Sequence, residues 1–571
     1  MYQFRLQKIE TNTAHGIEEL VPKRINILVG PNNSGKSRFL KELRDYISGD
    51  WKDLRIINNI DYPFPESIYD IDNRYKISSK IQHDYNNNWF LKAYSNKPDQ
   101  PLSMSASLES YYTRGMLAYS GDWKEYLENK LKNNEYRDFF ALLGSLFFQY
   151  MGTEERLTIC KTQRDHGLDS NSANFLTSHK YQQDLLEELS EKTKQLFHKD
   201  IYLDSQTLGD RLVFRIADDF KYVREHSVYN EETAQKLFSE NKLDEQGDGI
   251  KSFVSTFLSL KSNNCDILLL DEPEAFLHPP LARQMGEIIG NHSDDDKQLF
   301  VATHSVEVVK GILSTNNDVN VIRVTQPVPG TNEIKIIDQS TLTTILNDPL
   351  LRVSRVLEGI FCDRVIITEA ESDELIYQEL IEKIFPESGV YFAHAQNKQT
   401  VPVIAELYHR IGVNYELITD FDVLRQPTEL SRFLRLMPFD EHKKSLIINY
   451  ADEMKEKINN SIKADGLVDP EAAKKSERDK VYHRRGIRFF DSDETYKRKV
   501  KDALNELASH HLHILETGEL ETILEEFDVS YCGEKSKWIE GAIKTIAGLR
   551  KEDIQETTYV FKFIQKIMTG I

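Results

Sequence analysis

With 571 residues, 40% of them hydrophobic and 29% charged, the chain has an ordinary soluble composition and room for roughly three or four domains. A formal net charge of -20 excludes a protein that coats nucleic acid through overall charge, but leaves room for a nucleic-acid enzyme with a local basic groove. The longest apolar run, FFALLGSLFF at 139–148, falls short of the ~18 residues of a membrane span. The first residues, MYQFRLQKIE, have no signal-peptide layout, and the dispersed Cys160, Cys265, Cys362 and Cys532 match no metal spacing. A reducing, cytoplasmic setting with no membrane partner is therefore expected.

Residues 2–9 alternate as an edge strand, and RINILV at 24–29 reads as a second strand. It runs into Gly30-Pro31-Asn32-Asn33-Ser34-Gly35-Lys36-Ser37 and then a helical pattern, RFLKELRDYI. This is the full G-x-x-x-x-G-K-[ST] loop in its required strand–loop–helix context. Gly30 and Gly35 let backbone N–H groups face phosphates, Lys36 reaches the β- and γ-phosphates, and the Ser37 hydroxyl binds Mg²⁺. The helix N-terminus adds its dipole. ATP with Mg²⁺ is the expected ligand.

Residues 50–165 read as mostly helical and polar, with loop signals at Asn86-Asn87-Asn88 and Lys97-Pro98-Asp99-Gln100-Pro101. Residues 175–197 read as one charged helix with heptad-like apolar spacing, fit for a hairpin or subunit contact, or else a solvated arm. Residues 200–204 and 211–216 return as strands. The run EQGDG then places Gly247 and Gly249 just before a helical pattern at 250–260, a second candidate anion-binding N-terminus.

The stretch CDILLLDEPEAFLHPP, 265–280, is the centre of this half. Its aliphatic run reads as a strand buried on both faces, ending in Asp271 and Glu272 before a proline that cannot continue a ladder. Carboxylates at the carboxyl end of a buried parallel strand point into the crevice where α/β sheets bind ligands. Asp271 could hold Mg²⁺ and Glu272 could orient a water. A further buried strand at 298–302 ends in Thr303-His304-Ser305, where His304 could reach a γ-phosphate. Residues 319–337 read as two short strands around Pro327-Val328-Pro329-Gly330, and 342–357 as a helical connector.

The phosphate loop, LLLDEPEAFLHPP and VATHS stand in the order of ABC-type ATPase heads, and the EPE-x-x-LHP flavour resembles the OLD (overcoming lysogenization defect) family. That resemblance implies ATP hydrolysis between two facing copies. Residues near Gly247 of one copy would meet nucleotide held by Lys36 of the other. Glu272 would be the catalytic base and His304 the γ-phosphate sensor. It also implies a glutamine contacting Mg²⁺ and the attacking water, for which Gln149 and Gln163 are the candidates.

A second α/β unit comes after this head. The strand RVIIT at 364–368 ends in Glu369, with Asp373 one helical turn later. A strand at 390–393, a turn at 394–400 and a helix at 401–411 come next. The strand at 415–418 ends in Thr419-Asp420-Phe421-Asp422. In a strand-like D-x-D both carboxylates point to one side. Two adjacent strand ends would thus present up to four carboxylates at one pole, which repel one another unless cations bind. All-oxygen ligands select Mg²⁺ or Mn²⁺.

This unit resembles a TOPRIM domain, with Ala370 in place of a glycine and HAQNKQT in place of a Gly-rich turn. A TOPRIM unit behind an ABC-like head is the layout of OLD nucleases, a family that includes the Gabija nuclease subunit and effectors of some retron systems. The resemblance implies a later metal-binding glutamate, Glu521 with Glu519 as the alternative. It also implies a lysine that stabilises charge on phosphate, Lys537 with Lys535 next. The most basic stretch, 472–501, could track a phosphate backbone or be a solvated helix–loop.

The expected fold is α/β. An ABC-type ATPase head over about 1–350 carries a largely helical insertion at about 50–200, and a TOPRIM domain with C-terminal helices spans 351–571. The expected function is an ATP-hydrolysing, metal-dependent DNA endonuclease of anti-phage defence. It would hold one metal ion at the ATP site and two at the TOPRIM site. Its partners would be DNA, a second copy of itself, and a helicase-like protein or a reverse transcriptase with its nucleic acid. A second reading is an ATP-gated sensor or scaffold whose TOPRIM unit binds without cutting.

Overall fold

The computed structural model describes residues 3–75, 81–83, 89–93, 102–103, 123–165, 175–225, 230–262, 265–292, 297–316, 318–348, 355–464, 483–529 and 535–569. It divides into two compact units, Met1–Ile336 and Ile337–Ile571.

The first unit is built on a six-stranded sheet. Its order is Thr331–Ile337, Val319–Val328, Ile25–Val29, Gln298–Ala302, Ile267–Asp271, Phe148–Met151. From Val319–Val328 onward the neighbours are parallel. The three central strands are buried at every position, which is why they read as unbroken apolar runs. The phosphate-loop helix Lys36–Ile47 buries Phe39, Leu40 and Leu43 in the same core as Leu269 and Phe300. With all these strands running one way, the phosphate loop, Asp271 and Thr303 emerge at one edge.

Several local expectations are corrected. The first strand is Lys8–Thr13, not 2–9, and it pairs with Gly16–Leu20 and Ile57–Asp61 in a separate antiparallel sheet. The region 50–165 is mixed rather than mostly helical. It holds Ile57–Asp61, the small antiparallel set Ile81–His83, Trp89–Ala93 and Leu102–Ser103, and the edge strand of the main sheet, alongside the helices. The 175–197 helix is two helices, Phe175–His179 and Gln183–Phe197. No proline or glycine marks that break. It coincides with full burial of His179 and with a Lys180–Asp165 ion pair, both long-range effects. The strands 200–204 and 211–216 form the antiparallel pair Asp200–Asp204 and Arg211–Ala217. The connector starts earlier, as the helix Gln339–Asn347, and residues 349–354 lie outside the described set. So do the loop signals at 86–88 and 97–101.

The second unit carries a four-stranded, wholly parallel sheet. Its order is Tyr391–His394, Arg364–Thr368, Asn414–Thr419, Leu512–Ile514. The helices Glu371–Ile384, Lys535–Gly548 and Tyr559–Thr569 pack their apolar faces on it through Ile376, Leu380, Trp538 and Ile564. No described helix is long and apolar enough to cross a membrane.

A buried polar knot ties the second sheet together. Glu416 accepts hydrogen bonds from Arg364 Nη2 at 2.6 Å and pairs with His511 Nδ1 at 3.1 Å and His513 Nε2 at 2.8 Å. Burial alone would raise this carboxyl, but the two histidines and Arg364 hold it down at about 2. A folded value below the unfolded one, about 4.3, means the knot stabilises at neutral pH. That contribution is lost as pH falls from the unfolded value through the folded one. Glu416→Gln should cost about 3 kcal/mol at pH 7 by urea titration, because it takes the counter-ion from the half-buried Arg364 guanidinium and an acceptor from the buried His513. The difference from wild type should shrink between about pH 4 and about pH 2.

Candidate functional site

Two sites emerge, one at the carboxyl end of each parallel sheet. In the first, Gly30 (φ +141°) and Gly35 (φ +100°) shape the phosphate loop. A Cβ on Gly30 would lie 2.0 Å from the carbonyl oxygen of Val324, so only glycine lets the hairpin strand pass this close. Asn332, from the returning strand of that hairpin, donates to the Ser34 carbonyl at 2.6 Å. Asn33 also takes a left-handed conformation. Lys36 is buried, its ammonium donating to the carbonyls of Gly30 at 2.7 Å and Pro31 at 2.6 Å. A cleft of about 430 Å³ opens here, lined by the loop together with Arg55, Glu272, His304 and Gln326.

The acid strand delivers its side chains into this place. Ser37 Oγ donates to Asp271 Oδ1 at 2.8 Å and Tyr150 donates to Oδ2 at 2.9 Å. The Ser37 and Asp271 oxygens are thus a ready pair for the divalent ion that accompanies a nucleotide. Glu272 has φ +51°, a left-handed conformation that costs a residue with a Cβ about 1–3 kcal/mol. Arg156, fully buried, holds it there by donating to the carbonyls of Asp271 and, at 2.7 Å, Glu272. The strained turn brings the Glu272 carboxylate to 3.5 Å from His304 Nε2. Burial and the Lys36 charge lower the His304 pKa, favouring neutral imidazole. Glu274 positions that histidine, accepting from the His304 N–H at 2.7 Å and the Thr303 hydroxyl at 2.8 Å.

Neither candidate glutamine reaches the cleft. Gln149 points to Met151 and Ser259, and Gln163 bonds the backbone of Ile159 and Leu176. Gln326 lines the cleft instead, and Tyr150, beside Gln149, takes the contact to Asp271. Gly247 caps the helix Asp248–Lys261 and is exposed, with open space where a side chain would go. Gly249 is needed for a different reason, since a Cβ there would lie 2.9 Å from the Phe276 carbonyl oxygen. Asn32 is exposed in the loop.

In the second unit the strand ends gather Glu369, Asp420 and Asp422, with Asp373 on the first turn of the following helix. Glu369 Oε1 accepts from the Asp420 N–H at 3.2 Å. Burial, then the neighbouring carboxylates, push Glu369 and Asp420 well above the usual carboxylate range, and Asp373 is raised mainly by burial. Lys398, in the HAQNKQT turn, enters this cluster. Its ammonium pairs with Asp422 and lies 3.7 Å from Glu369. Burial would lower its pKa, but Glu369 and Asp422 raise it further. Among the described residues no three acids stand close enough to hold a metal ion as they are placed. The donor set nevertheless suits Mg²⁺ or Mn²⁺: all oxygens, buried, with raised pKa values that a bound cation would lower.

The two departures from the TOPRIM pattern have simple geometry. Ala370 is extended (φ -141°), a conformation open to any residue, and Asp373 Oδ2 accepts from its N–H at 3.2 Å. In the turn, Gln396 itself takes φ +62°, the conformation a glycine would have supplied. Of the late lysines, Lys535 approaches the site, lying 4.0 Å from Asp373 and 3.9 Å from Glu521. Glu521 is buried, whereas Glu519 caps the short turn Leu520–Thr522. In the basic stretch, 472–482 lie outside the described residues. Farther along, Lys497 is paired with Asp491 at 2.7 Å and Arg488 with Glu525 at 3.3 Å. Sequence reading also missed His394, whose Nδ1 pairs with Glu374 at 2.6 Å beside the acids.

Comparison with known proteins finds one family match in each unit. Residues 142–310 match a family described as "AAA domain, putative AbiEii toxin, Type IV TA system", a span that holds Asp271, Glu272 and His304 but not the phosphate loop. Residues 360–422 match "Overcoming lysogenization defect protein-like, TOPRIM domain", which spans Glu369, Asp373, Asp420 and Asp422. One chain thus carries an ATPase-domain match followed by an OLD-like TOPRIM match. It is 24% identical over 175 residues to the Old nuclease of Escherichia phage P2, an alignment that spans 29% of this chain and 29% of the phage protein. Solved structures that resemble the chain include an Smc head bound to the C-terminal winged-helix domain of ScpA (11% identity, 59% of this chain and 99% of that one, TM-score 0.33). Another is the SMC head domain from Thermotoga maritima (15%, 58% and 99%, TM-score 0.27).

The position of Lys398 among the acids has a measurable consequence. Lys398→Met should lower the melting temperature of metal-free protein, since the acids lose their internal counter-ion. It should also tighten Mn²⁺ binding by about tenfold in calorimetry, since a competing cation is gone.

Proposed function

We propose that this protein is an ATP-hydrolysing, divalent-metal-dependent DNA endonuclease whose cutting is gated by nucleotide state. The observation that carries the nuclease half is the gathering of Glu369, Asp373, Asp420 and Asp422 at one sheet pole around a lysine. Mg²⁺ or Mn²⁺, one ion at the ATP site and two at the acid cluster, would activate water and stabilise the leaving oxygen. In this reading Glu369, Asp420, Asp422, Asp373 and Glu521 hold the metal ions, and Lys535 faces the scissile phosphate, with Lys537 as the alternative.

At the ATP site Lys36 and the loop amides of Asn32 to Ser37 hold the phosphates, and Ser37 with Asp271 holds the ion. Glu272 accepts a proton from the attacking water, with His304 at the γ-phosphate. Gly247, exposed at its helix start, suits contact with nucleotide on a second copy, so the working form is at least a homodimer. The biological setting we infer is anti-phage defence in the cytoplasm, with a helicase-like protein or a reverse transcriptase as partner. Lys398 also favours a second reading, a sensor whose lysine-filled TOPRIM site binds nucleic acid without cutting.

Lys36→Ala should abolish nucleotide binding, while Glu272→Gln should bind ATP but turn it over about a hundredfold more slowly. Equal turnover would remove Glu272 as the base. Asp420→Ala and Glu369→Gln should lose plasmid nicking by roughly a thousandfold and keep ATPase activity. Nicking like wild type in both variants would assign cutting elsewhere. A wild type that cuts no nucleic acid with any divalent ion would leave the sensor reading. Light scattering that finds a fully active monomer would remove the dimer.

A further inference from the structure

A cleft of about 500 Å³ lies in the second unit between the helices Val401–Ile411 and Pro427–Leu434. Gln399, Glu406 and Arg410 line one wall, and Arg432, Arg435 and Leu436 the other. Three arginines thus face one glutamate, in a chain whose net charge is -20. Arg410 already pairs with Glu406. Arg432 and Arg435 are exposed and have no acidic partner among the described residues. Long guanidinium side chains left unpaired side by side repel one another, and an anion with several charges relieves that.

The position of the cleft decides which anion. Both walls are anchored at the acid cluster. Gln399 directly follows Lys398, whose ammonium touches Asp422, and the second wall begins five residues after Asp422, at Pro427. Arg432 and Arg435 stand about 8–12 Å along their helix from Pro427, at 1.5 Å per residue. That reach corresponds to about two to four base pairs of duplex axis. The lining has no Phe, Tyr or Trp on which a base could stack; its one ring is that of His409, and its apolar members are Pro402, Val403 and Leu436. Such a surface holds phosphates and sugars and does not read sequence.

We propose that this cleft is the docking track for the phosphate backbone of the nucleic-acid substrate, with Arg432 and Arg435 holding phosphates next to the one cut. The proposal rests on the nuclease reading above and names where its substrate lies. It places the backbone contacts in this cleft rather than in the 472–501 stretch.

The test is fluorescence anisotropy of a short labelled DNA duplex with the full-length protein in EDTA, over a range of salt. The Arg432→Gln/Arg435→Gln double variant should bind about tenfold more weakly or worse, with the log–log salt slope reduced by about 2. Glu406→Gln should bind more tightly. Melting temperature and ATP hydrolysis should stay at wild-type values, showing that the fold is intact. Unchanged affinity and slope in the double variant overturn the cleft as the track. Weaker binding with an unchanged salt slope also overturns it, since phosphate contacts would not be what was lost. If the wild type binds duplex but never cuts it with added Mn²⁺, the nuclease reading fails, and the cleft is judged by the anisotropy alone.

Discussion

Carboxylates placed together at the carboxyl end of a buried parallel sheet repel one another, and each unit answers this with buried cations drawn from elsewhere in the chain. In the first unit Asp271, Glu272 and Glu274 leave one strand within four residues, and Arg156 binds the backbone carbonyls beneath them. In the second, Lys398 lies among Glu369, Asp422 and Asp420. The two solutions differ in a way that matters for chemistry. Arg156 grips main chain and leaves the carboxylates free to act. Lys398 grips the carboxylates themselves, so any other cation that binds there must compete with it.

The arrangement of strands is what makes such crowding tolerable. Parallel strands covered on both faces form from long aliphatic runs, and these are readable directly: RINILV, ILLLD, QLFVA and RVIIT all stand as central strands. The functional residues at the ends of these runs are readable too, because a phosphate loop, a D-E-P and a D-x-D are local patterns. Lys398, Arg156, Tyr150 and Gln326 are not. Each reaches its site across more than twenty residues of sequence, or from a strand paired at a distance, and no local period records that. The misplaced glutamine illustrates the limit. Gln149 lies on the right strand, but its side chain turns toward Ser259, and the neighbouring Tyr150 faces Asp271. One residue's shift along a strand exchanges its faces.

Departures from a family pattern separate in the same physical way. A glycine is required only where its conformation or its closeness is required. Ala370 stands where the backbone is extended, so the lost glycine changes little. Gln396 occupies a left-handed position that glycine would fill without strain, and the turn it forms is the one that swings Lys398 into the acids. In the first unit Gly30 has no such latitude, because the carbonyl of Val324 occupies the space a side chain would need.

That contact has a mechanical meaning. The hairpin formed by Val319–Val328 and Thr331–Ile337 braces the phosphate loop through Val324 and through Asn332 on the Ser34 carbonyl. The same hairpin contributes Gln326, Gly330 and Asn332 to the wall of the nucleotide cleft. One close backbone approach, at Gly30, and one side-chain bond, from Asn332, thus tie the phosphate loop to the edge of the sheet, so the wall of the cleft and the loop beneath it are built as one piece.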